Sequence, residues 1–313
     1  MVSYILHRLA GLAGVLVVVS VLTFALMHAV PGGPFDARAV EKQQMIPPEI
    51  KLQLNAKYGF DQPVWRQYLL FLRNAARLDF GYSLAYPGRT VAQIFREQWP
   101  YSVQLGLLTL AWSLAAGVGL GLWGAMKPGS WVDYTGTGLG VFCLVAPSFV
   151  LAILLQLIFG VWLGWLPTGG WTSPRHWILP VLANSPGPVL VLLRFTRASV
   201  GDALHAGYVR TARAKGLSQQ RIILVHVLKN ALTPLLTVGG PLAAGLITGS
   251  FFVESMFRIP GIGFYFVTAI QHRDYPLIMA TTLVWTTVIS VAYLLTDVLY
   301  ALADPRVRLT DER

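Results

Sequence analysis

Long apolar runs separated by shorter polar stretches form the main pattern of this chain. A membrane-spanning helix requires about 20 mostly apolar residues. Six stretches meet this requirement, at residues 9–30, 102–126, 136–163, 177–198, 231–253 and 278–302. The pattern therefore predicts an all-α membrane protein with six transmembrane helices.

Two of these stretches contain interruptions. The third holds Pro147, which predicts a kink or tilt, and the sequence Asn-Ser-Pro-Gly-Pro at 184–188 interrupts the fourth. A broken span is tolerated where neighbouring protein or water satisfies the freed backbone groups. The interruption therefore indicates either a cavity-lining helix or an ordinary proline kink packed between helices. The candidate pathway-lining residues are Pro147, Ser148, Asn184 and Ser185.

Composition supports the membrane class. Hydrophobic residues make up 55% of the chain and charged residues 12%, whereas soluble domains average about 25% charged residues. The net charge of +10 is explained by Lys and Arg on the cytoplasmic side, beside anionic lipid, rather than by nucleic-acid binding. A single cysteine and scattered histidines give neither a disulfide framework nor the ligand spacing of a metal site.

Basic residues are concentrated in one polar segment, and this asymmetry predicts the orientation. Short loops rich in Lys and Arg face the cytoplasm, so we expect both termini and the segment 205–230 to lie there. We divide the chain into an N-terminus with the first span, an external subdomain in which Asp61 and Pro63 begin a helix, a five-helix core and a cytoplasmic tail. Their limits are 1–30, 31–99, 100–304 and 305–313.

The basic segment has the pattern of two helices joined at a glycine. Ala212 is a good helix former, Gly216 suits the left-handed position past a helix end, and Ser218 is a good N-cap. Leu217 would then fold back toward Ala212 and form a hydrophobic staple with Ile222. A solvated basic loop on lipid headgroups is the alternative. The capping signals favour a protein-docking element.

An ordered set of motifs extends this pattern along nearly the whole chain. It comprises 31–34 (Pro-Gly-Gly-Pro), 58–64, 80–83, 208–217, 229–232 with Pro234, 254–263, 274–277 and 304–308. Together they resemble the ABC importer permeases of the dipeptide, oligopeptide and nickel branch, and the first of its two permease subunits. The general family loop has Glu-Ala-Ala where this chain has Arg210-Thr211-Ala212, so no acid-specific contact to an ATPase is expected.

The resemblance implies a type I ABC importer permease fold with cytoplasmic coupling helices. It implies as partners a second homologous permease, two ABC ATPases and an extracytoplasmic substrate-binding protein, in a bacterial or archaeal cytoplasmic membrane. ATP and Mg would bind the ATPases, since this chain has no Walker-type glycine loop. No catalytic residue, metal or cofactor is expected on it. The implied coupling residues are Tyr208, Val209, Arg210, Thr211, Ala212, Arg213, Ala214, Lys215, Gly216 and Leu217.

The resemblance also implies an outer gate or binding-protein contact at Glu254, Pro260, Gly261 and Gly263. A structural turn capped by the Glu254 carboxylate is the alternative. Asp297 lies within the sixth span, and we expect it to pair with a neighbouring helix. We expect Arg194 and Arg197 to extend to the cytoplasmic headgroups.

Di- or oligopeptides are the expected cargo, while nickel complexes and glutathione-like solutes stay open because the binding protein largely selects the cargo in such importers. A secondary transporter is the alternative from another class. It predicts an inverted repeat and buried charge relays near the membrane midplane. The sequence shows one candidate acid and no evident repeat, which favours the importer.

Overall fold

The computed structural model describes residues 2–31, 49, 52, 58–59, 61–131, 133–134, 138, 147–231 and 233–303. Helices dominate these residues, and their one β-bridge joins Tyr82 to Thr90. The predicted tail 305–313 lies outside the described residues, as does most of the first half of the predicted external subdomain.

The helices are numbered in chain order. They are α1 (Val2–Ala29), α2 (Val64–Ala75), α3 (Val91–Met126), α4 (Ser148–Leu155), α5 (Arg175–Asn184), α6 (Pro186–His205), α7 (Gly207–Ala214), α8 (Gln219–Arg221), α9 (Leu228–Ala231), α10 (Thr233–Ile247), α11 (Phe251–Met256), α12 (Ile262–Gln271) and α13 (Tyr275–Ala303). Two π-helical segments, Gln156–Trp162 and Ile222–Val227, continue α4 and α8.

Three described helices are long and apolar enough to cross a membrane: Leu6–Ala29, Val91–Met126 and Tyr275–Val298. A fourth span results if α5 and α6, which are bent by 61° at their junction, count as one. This bend falls at the predicted interruption 184–188. The prediction of an all-helical membrane protein is therefore confirmed, whereas the count of six spans is not.

The other two predicted spans are shorter or divided in the structure. In the third, Pro147 is the N-cap of α4 rather than a kink within a helix, because a residue without an N–H suits a helix start. Residues 135–137 and 139–146 lie outside the described part. In the fifth, α10 ends at Ile247 and α11 begins at Phe251, since Gly249 turns the backbone with a φ of +105°.

The helix α3 lies at the centre of the packing and contacts α5, α6, α10 and α12. It begins with a capping box between Thr90 and Gln93 and continues for 36 residues. It therefore starts well before the predicted span and includes the end of the predicted external subdomain. Its backbone approaches α6 so closely that a Cβ at Gly121 would lie 2.6 Å from the carbonyl oxygen of Leu193. The two helices consequently pack as a tight pair.

The helix α2 begins after Pro63 as predicted, but no side chain caps its first turn, so Asp61 does not serve as a cap. The helix docks on α1: the hydroxyls of Tyr68 and Ser20 are 2.8 Å apart. Nearby, burial raises the pKa of Tyr58 to about 12. Its phenol therefore keeps its proton and donates to the carbonyl of Tyr82 at 2.9 Å.

Two ion pairs among the described residues join segments that are distant in sequence. Asp297 on α13 pairs with Arg8 on α1 at 2.7 Å, which confirms that Asp297 contacts a neighbouring helix. Arg197 pairs with Asp133, whose carboxylate is only 5% exposed and requires a cation. Its expected position at the headgroups stays a prediction.

Candidate functional sites at the two ends of helix α3

The helix α7 packs against α6 and the π-helical segment Ile222–Val227, near the C-terminal end of α3. Its two buried side chains, Val209 and Ala212, are three residues apart and so share one helix face. They pack in a cluster with Ala125 from α3 and Val200 from α6, and with Ile222 from the segment that follows α8. The position of α7 is therefore fixed by three other parts of the bundle.

The opposite face of α7 is exposed and basic. Tyr208 is 40% exposed, and the side chains of Arg210, Thr211, Arg213, Ala214 and Lys215 are also exposed. Among the described residues, no acid forms an ion pair with the three basic side chains of this face. The helix thus presents polar and cationic groups on a rigid backbone, which is an arrangement suited to docking on another protein.

The turn after α7 has the predicted glycine conformation. Gly216 has a φ of +75°, and a Cβ there would meet no atom within 4 Å, so the backbone angle alone favours glycine. The N–H of Leu217 donates to the carbonyl of Ala212 at 3.3 Å, and Ser218 accepts from the N–H of Arg221. We call residues 207–221 the α7 corner. Its helix, glycine and N-cap are confirmed, while its function stays a prediction.

The π-helical segment after the α7 corner was not predicted. The chain forms only a three-residue α-helix at Gln219–Arg221 before it widens into Ile222–Val227. Within this segment Ile222 and Val227 are buried in the same cluster as α7. The apolar residues of this stretch fit either helix type, so sequence periodicity could not separate them.

A second site lies where the N-terminal half of α3 contacts residues 249–264, which we call the Glu254 turn. The Glu254 side chain is fully buried. Its two oxygens accept backbone N–H groups of Ser250 at 3.1 Å and Phe264 at 3.2 Å. Phe264 lies in the first turn of α12, so the carboxylate satisfies a free N–H at that helix start. The structural-turn interpretation of Glu254 therefore has direct geometric support.

Three glycines leave space for this buried carboxylate. A Cβ would lie 2.3 Å from an oxygen of Glu254 at Gly261, 2.7 Å at Gly249 and 2.8 Å at Gly263. Pro260 precedes Gly261 and is half-buried. Ser102 on α3 completes the arrangement by accepting the N–H of Ile262 at 2.9 Å. Ser102 was missed, because a serine inside an apolar span carries no signal that identifies its partner.

The predicted pathway residues lie at two positions. Pro147 and Ser148 begin α4, with Pro147 exposed, while Asn184 and Ser185 lie at the α5–α6 bend. Ser185 is buried, and its hydroxyl donates to the carbonyl of Leu182 at 3.2 Å. Within the described ranges, no group of three His, Cys, Asp or Glu residues could hold a metal ion.

One continuous helix joins the two candidate sites. Ser102 contacts the Glu254 turn, and Ala125 belongs to the same buried cluster as Val209 and Ala212 of α7. At a rise of 1.5 Å per residue these positions are about 35 Å apart, which is close to the thickness of a bilayer's hydrocarbon core. The α7 corner and the Glu254 turn therefore lie at opposite ends of the bundle.

Two protein-family models match most of the chain. The model described as "Binding-protein-dependent transport system inner membrane component" matches residues 117–309, and that of the N-terminal part of such membrane components matches residues 1–104. The chain is 38% identical over 309 residues to the dipeptide transport system permease protein DppB of Bacillus subtilis, with 99% of each chain covered. It is 37% identical over 310 residues to the oligopeptide transport system permease proteins OppB of Haemophilus influenzae and Escherichia coli, with 98% of this chain and 100% of each relative covered.

Proposed function

Because the chain belongs to the family of binding-protein-dependent transport system inner membrane components, we propose that it is a permease subunit of an ATP-driven peptide importer. With a second homologous permease it forms the pathway for di- or oligopeptides that a substrate-binding protein delivers. The observation that most directly supports this proposal is the 37–38% identity, along nearly the full chain, to relatives named as dipeptide or oligopeptide permeases.

In this proposal the chain crosses a cytoplasmic membrane six times. The segments near α4 and α10 supply the two spans for which the described helices are too short. Both termini and the α7 corner face the cytoplasm, an orientation supported by the exposed basic face of α7 and the positive-inside rule. The Glu254 turn, at the other end of α3, then faces outward.

The α7 corner couples this subunit to an ATPase in the proposal. The exposed side chains of residues 208–217 dock in a groove of that partner, while Val209 and Ala212 transmit its movement to α3 and α6 through the buried cluster. ATP and Mg bind only the ATPase subunits, so this chain performs no catalysis. Closure of the ATPase pair opens the pathway outward, and hydrolysis allows its return.

The outward part of the pathway is controlled at the Glu254 turn. Glu254, Gly261 and Gly263 hold α11 and α12 together, so the turn can act as a rigid gate element or binding-protein contact. The residues at the α4 start and the α5–α6 bend, namely Pro147, Ser148, Asn184 and Ser185, line the pathway when it opens. A break in a spanning helix at Ser185 is consistent with such a position.

A reconstituted complex tests the proposal. The chain, its second permease and both ATPases are placed in liposomes, and labelled tripeptide uptake is measured with its loaded binding protein outside. We expect uptake that requires ATP and persists when an ionophore collapses the proton gradient. Uptake that needs the gradient and no ATP would instead identify a secondary transporter. Import of nickel complexes or glutathione without import of any peptide would contradict the peptide assignment.

A further inference from the structure

A polar cleft lies beside the Glu254 turn, between the π-helical segment after α4 and the end of α11. Its volume is roughly 570 Å³. Its walls include Gln156, Val161, Thr168, Met256 and Arg258. Ligand sites for small molecules fall in the range of about 300–1,000 Å³, so the cleft has room for part of a short peptide.

Hydrogen bonds hold the two walls of the cleft together without a ligand. The side-chain amide of Gln156 donates to the carbonyl of Thr168 at 2.6 Å and to that of Met256 at 2.9 Å. Next to these, the N–H of Gly170 donates to the carbonyl of Phe257 at 2.7 Å. The cleft is therefore formed in advance, which lowers the entropy lost when a ligand binds.

The side-chain carbonyl oxygen of Gln156 is available to accept a hydrogen bond. Both of its N–H groups are used on the walls, but its carbonyl oxygen accepts no hydrogen bond from any described residue. Gln156 is half-buried and is the first residue of the π-helical segment Gln156–Trp162. Single π-helical turns occur frequently at functional sites. The oxygen is thus an unused acceptor on a fixed side chain.

Arg258 supplies a cation at the same cleft. Its φ is +53°, the left-handed conformation of a residue that ends a helix, here α11. The side chain is exposed, and no acid in the described part of the chain pairs with it. Its guanidinium can therefore receive an anion from outside this chain.

We propose that this cleft binds the C-terminal end of a peptide during its passage, a subsite that rests on the proposed function. Arg258 binds the terminal carboxylate, for which its planar guanidinium offers two parallel hydrogen bonds. Gln156 accepts a peptide N–H. Val161 and Met256, 64% and 39% exposed, contact the peptide's side chains, and methionine adapts to different shapes.

The pairing of a cation with an acceptor fits a peptide terminus. The terminus supplies both a carboxylate for Arg258 and an N–H for Gln156. The apolar side chains of Val161 and Met256 make no directional bonds, so they can contact many different peptide side chains. The cleft consequently selects the peptide terminus and tolerates variation in sequence.

The test uses the complete reconstituted complex and two probes, tri-alanine and its C-terminal amide, each at a concentration that saturates the binding protein. Wild type is compared with Arg258→Gln and Arg258→Lys, and with Arg175→Gln as a matched control, since Arg175 is an exposed arginine at the start of α5. We expect wild type and Arg175→Gln to import the free acid about tenfold faster than the amide. Arg258→Gln should lose this preference, and Arg258→Lys should retain part of it.

Three results would overturn the subsite. One is an unchanged preference in Arg258→Gln. Another is that Arg258→Gln needs a higher concentration of binding protein for half-maximal import, by the same factor for both probes. That result would assign Arg258 to binding-protein docking. The third is that Arg258→Gln slows the import of both probes equally and only in vesicles that contain anionic lipid. That result would assign Arg258 to a lipid headgroup. Import of neither probe by wild type would contradict the proposed function itself, a result distinct from these three.

Discussion

Arg197 on α6 holds the carboxylate of Asp133 through two contacts of 2.7 Å, Nε to Oδ1 and Nη2 to Oδ2. The same carboxylate accepts the N–H of Gly129 at 3.1 Å. The connection that leaves the C-terminal end of α3 is thereby tied to α6. A paired, bidentate geometry around a carboxylate that is only 5% exposed makes this a structural contact.

Removal of the arginine from this pair should destabilise the protein. Arg197→Met leaves the Asp133 carboxylate buried and unpaired, and we expect a loss of about 1–3 kcal/mol, because the arginine is itself 44% exposed. The free energy of unfolding in detergent checks this. Arg194→Met, at a nearby exposed arginine of α6, should change it by less than about 0.5 kcal/mol. The double variant Asp133→Asn, Arg197→Met should recover part of the loss, and equal losses in the Arg194 and Arg197 variants would contradict the prediction.

The α7 corner should depend on glycine at one position only. Gly216→Ala must adopt a φ near +75° at a local penalty of about 1–2 kcal/mol, so we expect slower ATP-driven peptide uptake at normal membrane yield. Gly216→Pro should abolish uptake, because proline cannot adopt a positive φ. Gly207→Ala is the control, since Gly207 has no positive φ and no neighbour within 4 Å of a Cβ. Normal uptake by Gly216→Pro would refute the coupling role.

A charge on the buried face of α7 should uncouple transport. Ala212 is 5% exposed and packs in the cluster with Ala125 and Ile222. In Ala212→Glu the carboxylate lacks a partner there, and we expect α7 to leave its position while the chain still inserts. Uptake should be abolished although the protein is recovered from the membrane. Ala214→Glu places the same charge on the exposed face and should retain the protein's thermal stability.

Cross-linking should distinguish the two faces of α7. A cysteine at Tyr208, which is 40% exposed, or at Lys215 should form a cross-link with an ATPase subunit in the assembled complex. A cysteine at Val209 should not, because that position is fully buried. Mass spectrometry of the cross-linked complex identifies the partner. Exposed positions that react only with reagents confined to the exterior would contradict the proposed orientation.

The Glu254 turn should not tolerate a side chain at Gly261. The Cβ of Gly261→Ala would lie 2.3 Å from an oxygen of Glu254, so the carboxylate must leave its two backbone donors. We expect a loss of about 1–3 kcal/mol in the free energy of unfolding. Gly245→Ala is the matched control, because a Cβ there meets no atom within 4 Å and α10 is helical at that point. A similar loss in both variants would show that the carboxylate is not responsible.

Local backbone features were the most accessible to sequence analysis. The short helix α7, the left-handed Gly216 and the Ser218 cap follow from residues adjacent in sequence. The bend at Ser185 was readable from the prolines beside it. Each depends on steric or hydrogen-bonding preferences of a few neighbouring residues, which the sequence displays directly.

Contacts between distant segments were not accessible in the same way. The sequence indicates neither that Ser102 meets the N–H of Ile262, 160 positions later, nor that Arg197 meets Asp133. The division of the fifth predicted span at Gly249 was also missed, because the apolar pattern continues across it. Periodicity describes one helix at a time, whereas these features depend on which helices become neighbours.

The helix α3 runs without interruption from Val91 to Met126, through Pro100. A rod of about 54 Å, held in its second half by close contact of Gly117 and Gly121 with α6, can tilt but cannot shorten. When such a rod pivots, its two ends are displaced in opposite directions at the same moment. Opening at one face of the membrane and closing at the other can then be a single motion, with no succession of side-chain rearrangements between them.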